Sequence, residues 1–240
     1  MCPVNIMAQR ENDSEAARMS RLDLISRIAI GVAHEIRNPL TVIKGYLQLV
    51  EKNPAYCTEE LLSVVFQELY RIEDLITNFM LMARNKAIMK IPQNLNHILE
   101  KLYPQIRDYA VKHGIITELL LGDNVPLLDL NSEEMEQLVM NLVRNGIEAM
   151  RANSKLTVGT IGGPDSIILY VQDEGSGIPS EQIENIFDPF YTTKASNSGL
   201  GLAISLSIVE RHQGKIEILS NVGVGTMIKV TFPVLGCLAG

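Results

Sequence analysis

Two stretches of three-four hydrophobic spacing near the N-terminus most constrain what this chain can fold into. Ile25, Ala29, Val32, Ile36, Pro39, Ile43, Tyr46 and Val50 trace one heptad seam; Leu62, Val65, Leu69, Ile72, Ile76, Phe79 and Ala83 trace a second. The first predicts a helix from about Ser14 to Glu51, bent at Pro39 because proline leaves the Glu35 carbonyl without a donor. The run Lys52-Asn53-Pro54-Ala55-Tyr56 breaks it. A second helix is predicted from about Thr58 to Asn85, with Thr58 as N-cap and Glu59 and Glu60 in the first turn, where the helix dipole favours them. A single hairpin is too thin to bury both seams. The economical solution is a homodimer in which two hairpins make a four-helix bundle.

One side chain stands apart from that seam. At about 100° per residue, His34 lies roughly 160–200° from both Val32 and Ile36, so it points to solvent. Asn38 and Thr41 fall within about 40° of it on the same face. Glu35 follows directly, and a carboxylate beside an imidazole can orient the ring or take its proton. A nucleophilic histidine benefits from both the acid and the bend, whereas a core histidine needs neither. An exposed histidine with no task remains the commoner case, so the rest of the chain decides.

Composition narrows the classes. A net charge of −7 argues against nucleic acid or an anionic membrane surface as a partner. Cys2, Cys57 and Cys237 are far apart and form no C-x-x-C pair, which suits free thiols in a reducing, cytoplasmic setting. No apolar run approaches the roughly 18–20 residues of a membrane span, and no signal peptide is evident, so a soluble segment is expected.

The heptad ends near Met89-Lys90-Ile91-Pro92, which sets the expected domains at 14–90 and 93–236. Beyond it the pattern is mixed: helices at about 95–111, 132–151 and 200–213, with strands at about 116–121, 126–130, 155–161, 166–172, 215–220 and 226–233. Strands separated by helices and closed by a hairpin predict an α/β sandwich, making the whole chain α+β.

Several segments of that second part suit a nucleotide. Asn141 and Asn145 project from one helix face among Leu138, Val139, Leu142 and Val143, where amides are costly unless they bind something. An amide oxygen is a competent Mg²⁺ ligand beside phosphate oxygens. Asp173-Glu174-Gly175-Ser176-Gly177-Ile178 follows a strand; its carboxylate can accept the amine of adenine, and its glycines allow close approach. After Phe187-Asp188-Pro189-Phe190 come a short polar connection from Lys194 through Ala195-Ser196-Asn197-Ser198, read as a lid, and Gly199-Leu200-Gly201-Leu202 opening a helix. Backbone N–H groups there suit phosphate. Gly225-Thr226 is a last glycine turn. No G-x-x-x-x-G-K-[ST] occurs, which excludes a P-loop.

Taken in order, these segments resemble the bacterial sensor histidine kinases over nearly the whole chain. The His34-Glu35-Ile36-Arg37-Asn38-Pro39 run looks like that family's phosphoacceptor box, and Asn141-Leu-Val-Arg144-Asn145 like its asparagine box. Asp173-x-Gly175-x-Gly177, Phe187-x-Pro189-Phe190, Gly199-x-Gly201 and Gly225-Thr226 look like the boxes that follow. Gly146 departs from the alanine usual at its place. The narrower likeness is to sporulation and nitrogen-type kinases of Gram-positive bacteria. The resemblance implies the ATP-binding fold of gyrase, Hsp90 and MutL, with ATP and Mg²⁺ as cofactors. It further implies phosphorylation of His34 with Glu35 and Asn38 assisting, Asn145 as metal ligand, and Asp173 as adenine reader. Nucleotide contacts are implied for Asn141, Arg144, Gly175, Gly177, Ile178, Lys194, Gly199, Leu200, Gly201, Leu202 and Thr226. The implied partners are a second copy of the chain, a response-regulator receiver and a protein inhibitor of the bundle. The alternative is a gyrase- or Hsp90-type clamp ATPase, but such a clamp needs an acid where Asn141 stands and has no use for the His34 hairpin.

Overall fold

The computed structural model describes the backbone of residues 6–83, 89–193 and 199–234, with side chains in these ranges from residue 29 onward except 74, 78 and 81–83. The chain divides into two compact units, Met1–Asn85 and Lys86–Gly240.

The first unit is a helical hairpin. Helix α1 spans Ile6–Lys52 and runs through Pro39, a 3-10 turn occupies Pro54–Tyr56, and α2 spans Glu59–Ala83. The Thr58 hydroxyl accepts the Leu61 N–H at 3.2 Å, the expected cap. Ile43 packs against Leu61 and Val65, with Tyr46, Val50 and Ile72 around them. Val32, Pro39 and Leu75 are also buried, while Ala29 is exposed. The second seam is divided within one hairpin. Leu62, Leu69 and Ile76 are exposed, and with exposed Phe66 and Met80 they form a stripe of their own beside the buried Leu61, Val65 and Leu75. Three-four spacing across a wide apolar face cannot tell which neighbour each residue meets.

The second unit is an α/β sandwich. A five-stranded sheet has the order β2 (Ile116–Leu120), β4 (Lys155–Gly162), β5 (Ser166–Asp173), β7 (Gly225–Pro233), β6 (Lys215–Asn221). Strands β2 and β4 are parallel and every other pair is antiparallel. Helices α3 (Leu95–Lys112), α4 (Ser132–Ala149) and α6 (Gly201–Arg211) cover one face. Along β5, Ile167, Leu169, Val171 and Asp173 alternate inward toward them, as a half-covered sheet requires. Met135, Leu138, Val139, Leu142 and Val143 of α4 meet this face from above. Two short elements escaped the hydrophobic pattern. One is β1 (Ile91–Asn94), paired antiparallel with β3 (Leu127–Leu130); the other is α5 (Ser180–Ile183).

Candidate nucleotide site and phosphoacceptor

A cleft of about 200 Å³ opens where the C-terminal end of α4, the end of β5, and the N-terminal end of α6 converge. Leu142, Val171, Ile186 and Ile228 give it an apolar floor; Asn145, Asp173, Gln182 and Thr226 supply polar groups. Gly177, Ile178, Gly199, Gly201 and Leu202 line it as well. An apolar slot with few convergent polar groups suits a flat heterocycle with a polar edge.

Asp173 is the last residue of β5, in register with Leu156 of β4 and Thr226 of β7. Its Oδ1 accepts the Gly175 N–H at 2.8 Å and the Thr226 N–H at 3.2 Å, so the carboxylate is fixed although buried. The loop beyond it is held by the β6–β7 hairpin. Gly223 N–H donates to Ser176 O at 2.7 Å, and Ile178 N–H to Ser220 Oγ at 2.8 Å. Gly177 sits at φ +70°, and a Cβ there would collide with the Asn221 carbonyl, so this tight seat requires glycine.

The α6 end is built similarly. Gly199, at φ +67°, lies against the Phe190 backbone, where a Cβ would come within 2.8 Å of Phe190 Cα. Phe190 N–H donates to Gly199 O at 3.1 Å, tying the two motifs together. Gly201 differs: a Cβ on it would meet nothing within 4 Å. Packing does not demand that glycine, and the space it leaves belongs to the cleft. Its carbonyl accepts from Asn141 Nδ2 at 3.3 Å and Ser205 Oγ at 2.9 Å. Asn145 Nδ2 is buried and, among the described residues, has no hydrogen-bond partner. A buried amide beside a cleft is costly without a ligand. A half-turn of χ2 presents its oxygen instead, so the donor set suits an ion held jointly with phosphate. Among the described residues no group of three or more His, Cys, Asp or Glu could hold a metal by itself.

Four expected contacts stand elsewhere. Arg144 is exposed and lies 5.9 Å from the Tyr109 ring centroid on α3, away from the cleft. Leu200 is fully buried in the core, and Asn141 donates from Nδ2 to the Gly201 carbonyl. Gly175 acts through its N–H on Asp173. Lys194 and the lid through Ser198 lie outside the described residues. Gln182, Tyr191, Thr192 and Thr193 line the cleft without having been expected. They come from a short helix and a loop whose sequences carry no periodic signal.

On the hairpin, His34, Asn38 and Thr41 are exposed together, and Thr41 Oγ1 donates to Arg37 O at 2.8 Å. Glu35 is half-buried and its carboxylate lies 3.9 Å from Arg71 of α2. Among the described residues no hydrogen bond joins it to His34.

Residues 25–88 match the His kinase A phospho-acceptor domain, and residues 131–236 match the histidine kinase-, DNA gyrase B- and HSP90-like ATPase family. The chain belongs to the bacterial sensor histidine kinases. Among relatives of this chain, sporulation kinase C of Bacillus subtilis (strain 168) is 32% identical over 223 residues, which are 92% of this chain and 52% of the relative. Sporulation kinase E of the same organism is 31% identical over 232 residues, 96% of this chain and 31% of the relative. The chain thus spans about a third to a half of the curated relatives it matches. A solved complex of histidine kinase ThkA with response regulator protein TrrA shares 26% identity at a TM-score of 0.76, covering 96% of this chain and 68% of that one. No helix among the described residues is long and apolar enough to cross a membrane.

Proposed function

We propose that this chain is an ATP-dependent protein histidine kinase that phosphorylates itself on His34 and passes the group to an aspartate of a response-regulator receiver. The observation that carries the nucleotide half is the buried amide nitrogen of Asn145, without a partner among the described residues, beside the open space at Gly201 and a cleft that Asp173 lines. Asp173 would accept the adenine amine. The N–H groups opening α6 would cradle phosphate. Asn145 would hold Mg²⁺ through its amide oxygen, and the ion when bound would neutralise phosphate charge.

His34 supplies the nucleophile. One ring nitrogen bonds to the γ-phosphorus as the bond to the β-phosphate oxygen breaks and ADP departs; the proton on the other nitrogen passes to Glu35. To do so Glu35 must leave Arg71 and turn toward the ring, a rotamer change that a half-buried, loosely held pair at 3.9 Å permits at a cost of about 1 kcal/mol. Asn38, one turn on, would position water when an aspartyl-phosphate receiver docks on the same face. The exposed stripe of α2 would be covered by a second hairpin, making the four-helix dimer.

Incubation with labelled ATP and Mg²⁺ tests the assignment. The label should resist alkali, be lost in acid as a phosphoramidate is, and be absent from His34→Gln. Label persisting in that variant would sink it.

A further inference from the structure

The two helices that flank the nucleotide cleft share a second junction at their far ends, and the chain enters the catalytic unit there. α4 and α6 run antiparallel, so the N-terminus of α4 and the C-terminus of α6 lie together, about 27 Å and about 16 Å along their axes from the ends that line the cleft. Asn131, the N-cap of α4, uses all its polar groups. Its Oδ1 accepts the Glu134 N–H at 3.0 Å, its backbone N–H donates to His212 Nε2 at 3.1 Å, and its carbonyl accepts the Met135 N–H at 3.0 Å. Its Nδ2 donates to the Met89 carbonyl at 3.2 Å. The adjacent Lys90 donates from Nζ to the carbonyl of Arg211, the last residue of α6, at 2.7 Å. Arg211 in turn pairs with the buried Glu134 at 2.8 Å.

Two consecutive residues are therefore fastened to two different helices, each at the end opposite the cleft. The Lys90 bond is well chosen. A helix C-terminal carbonyl has no partner within its helix, and the dipole there favours a cation. That cation arrives from 121 residues away in sequence, whereas a local lysine or arginine would have capped the helix without involving the connection. The junction is not a close-packed core, because a cavity of about 180 Å³ lies beside Lys90, Asp129, His212 and Gln213. Losing the Lys90 amine leaves no void in the apolar interior.

We propose that Lys90, with Asn131, is a positioning residue for phosphoryl transfer: it fixes the direction in which the connection to the phosphoacceptor hairpin leaves the catalytic unit, relative to the helices that hold the nucleotide. This rests on the kinase reading above. Transfer from a nucleotide in one compact unit to His34 in another depends on how often the two meet in the reactive arrangement, and an anchored exit raises that frequency. Nucleotide affinity does not depend on it. The anchor therefore acts on the rate at saturating ATP and leaves binding alone.

The test uses the full chain carrying Lys90→Met, Lys90→Arg or Asn131→Asp. The aspartate retains an oxygen to cap α4 but loses the donor to Met89. ATP affinity by calorimetry, thermal unfolding and autophosphorylation at saturating ATP and Mg²⁺ are measured for each. Lys90→Met and Asn131→Asp should slow transfer about tenfold with ATP affinity within about twofold of the unaltered chain, and Lys90→Arg should restore the rate. Transfer at the unaltered rate in Lys90→Met overturns the inference, as does slowing matched by an equal loss of ATP affinity. Failure of the unaltered chain to label at all would instead overturn the kinase reading, which separates the two.

Discussion

Asp173 Oδ1 accepts the backbone N–H of Thr226 at 3.2 Å, so a residue 53 positions later in the chain holds the carboxylate that closes the cleft. Asparagine can accept the same two N–H bonds, and Asp173→Asn should fold normally. It loses the charge offered to the adenine amine, a bond worth about 1.5–3 kcal/mol, or roughly 10- to 150-fold in affinity. Titration calorimetry beside a melting curve checks this; equal ATP binding would contradict the adenine role.

Two cleft glycines should respond differently. Gly177→Ala puts a Cβ into the Asn221 carbonyl at φ +70°, and the left-handed conformation alone costs about 1–2 kcal/mol. Gly146→Ala brings a Cβ 2.9 Å from Leu156 Cδ1, the far end of a flexible side chain, while gaining about 1 kcal/mol of helix propensity. Urea denaturation should show clear destabilisation for the first and a change within about 1 kcal/mol for the second.

Two residues of α1, Glu35 and Asn38, should separate two activities. Glu35→Ala should lose about 10²- to 10⁴-fold in autophosphorylation, the range of a general base. Arg71→Met should retain it, because the ion pair is a resting contact. Asn38→Ala should keep kinase activity and lose phosphatase activity toward a phosphorylated receiver. If Asn38→Ala dephosphorylates the receiver at the normal rate, its water-positioning role is wrong.

His212 should make the second unit acid-sensitive. Burial holds its imidazole below the usual histidine range, against smaller upward pulls from the Ile208 carbonyl and Glu134. Nδ1 faces Ile208 O at 2.9 Å and Nε2 accepts from Asn131, which requires a neutral ring protonated on Nδ1. A folded-state pKa below the unfolded value of about 6.5 means full stability above that pH, lost as pH falls and the unfolded chain takes the proton first. Melting temperature should be flat above about pH 7 and fall below about pH 6.5. His212→Gln should start lower and fall less steeply, and identical slopes would discount the histidine.

The stripe of Leu62, Phe66, Leu69, Ile76 and Met80 should be a dimer face. Sedimentation should give a dimer for the full chain and a monomer for Leu69→Glu, and residues 86–240 alone should remain folded and bind ATP. A monomeric full chain at micromolar concentration would refute the bundle.

Local sequence determined much of this protein. Heptad spacing, Thr58 as a cap and the glycine-bounded strand ends are read from neighbours a few residues apart, and that range sets helix period, capping and turn conformation. His34 opposite its seam was legible for the same reason. Tertiary structure alone decided what each side chain meets. Arg144 is one residue from Asn145, yet it faces Tyr109, because 100° of helix separates a cleft from a neighbouring helix. Leu62 and Leu61 are adjacent, and only the packing of α1 shows which of the two is buried. Strand β1 exists because β3 lies beside it, and the Lys90–Arg211 bond joins residues 121 apart. Contacts of that kind depend on where distant segments come to rest, and no periodicity within either segment encodes the meeting.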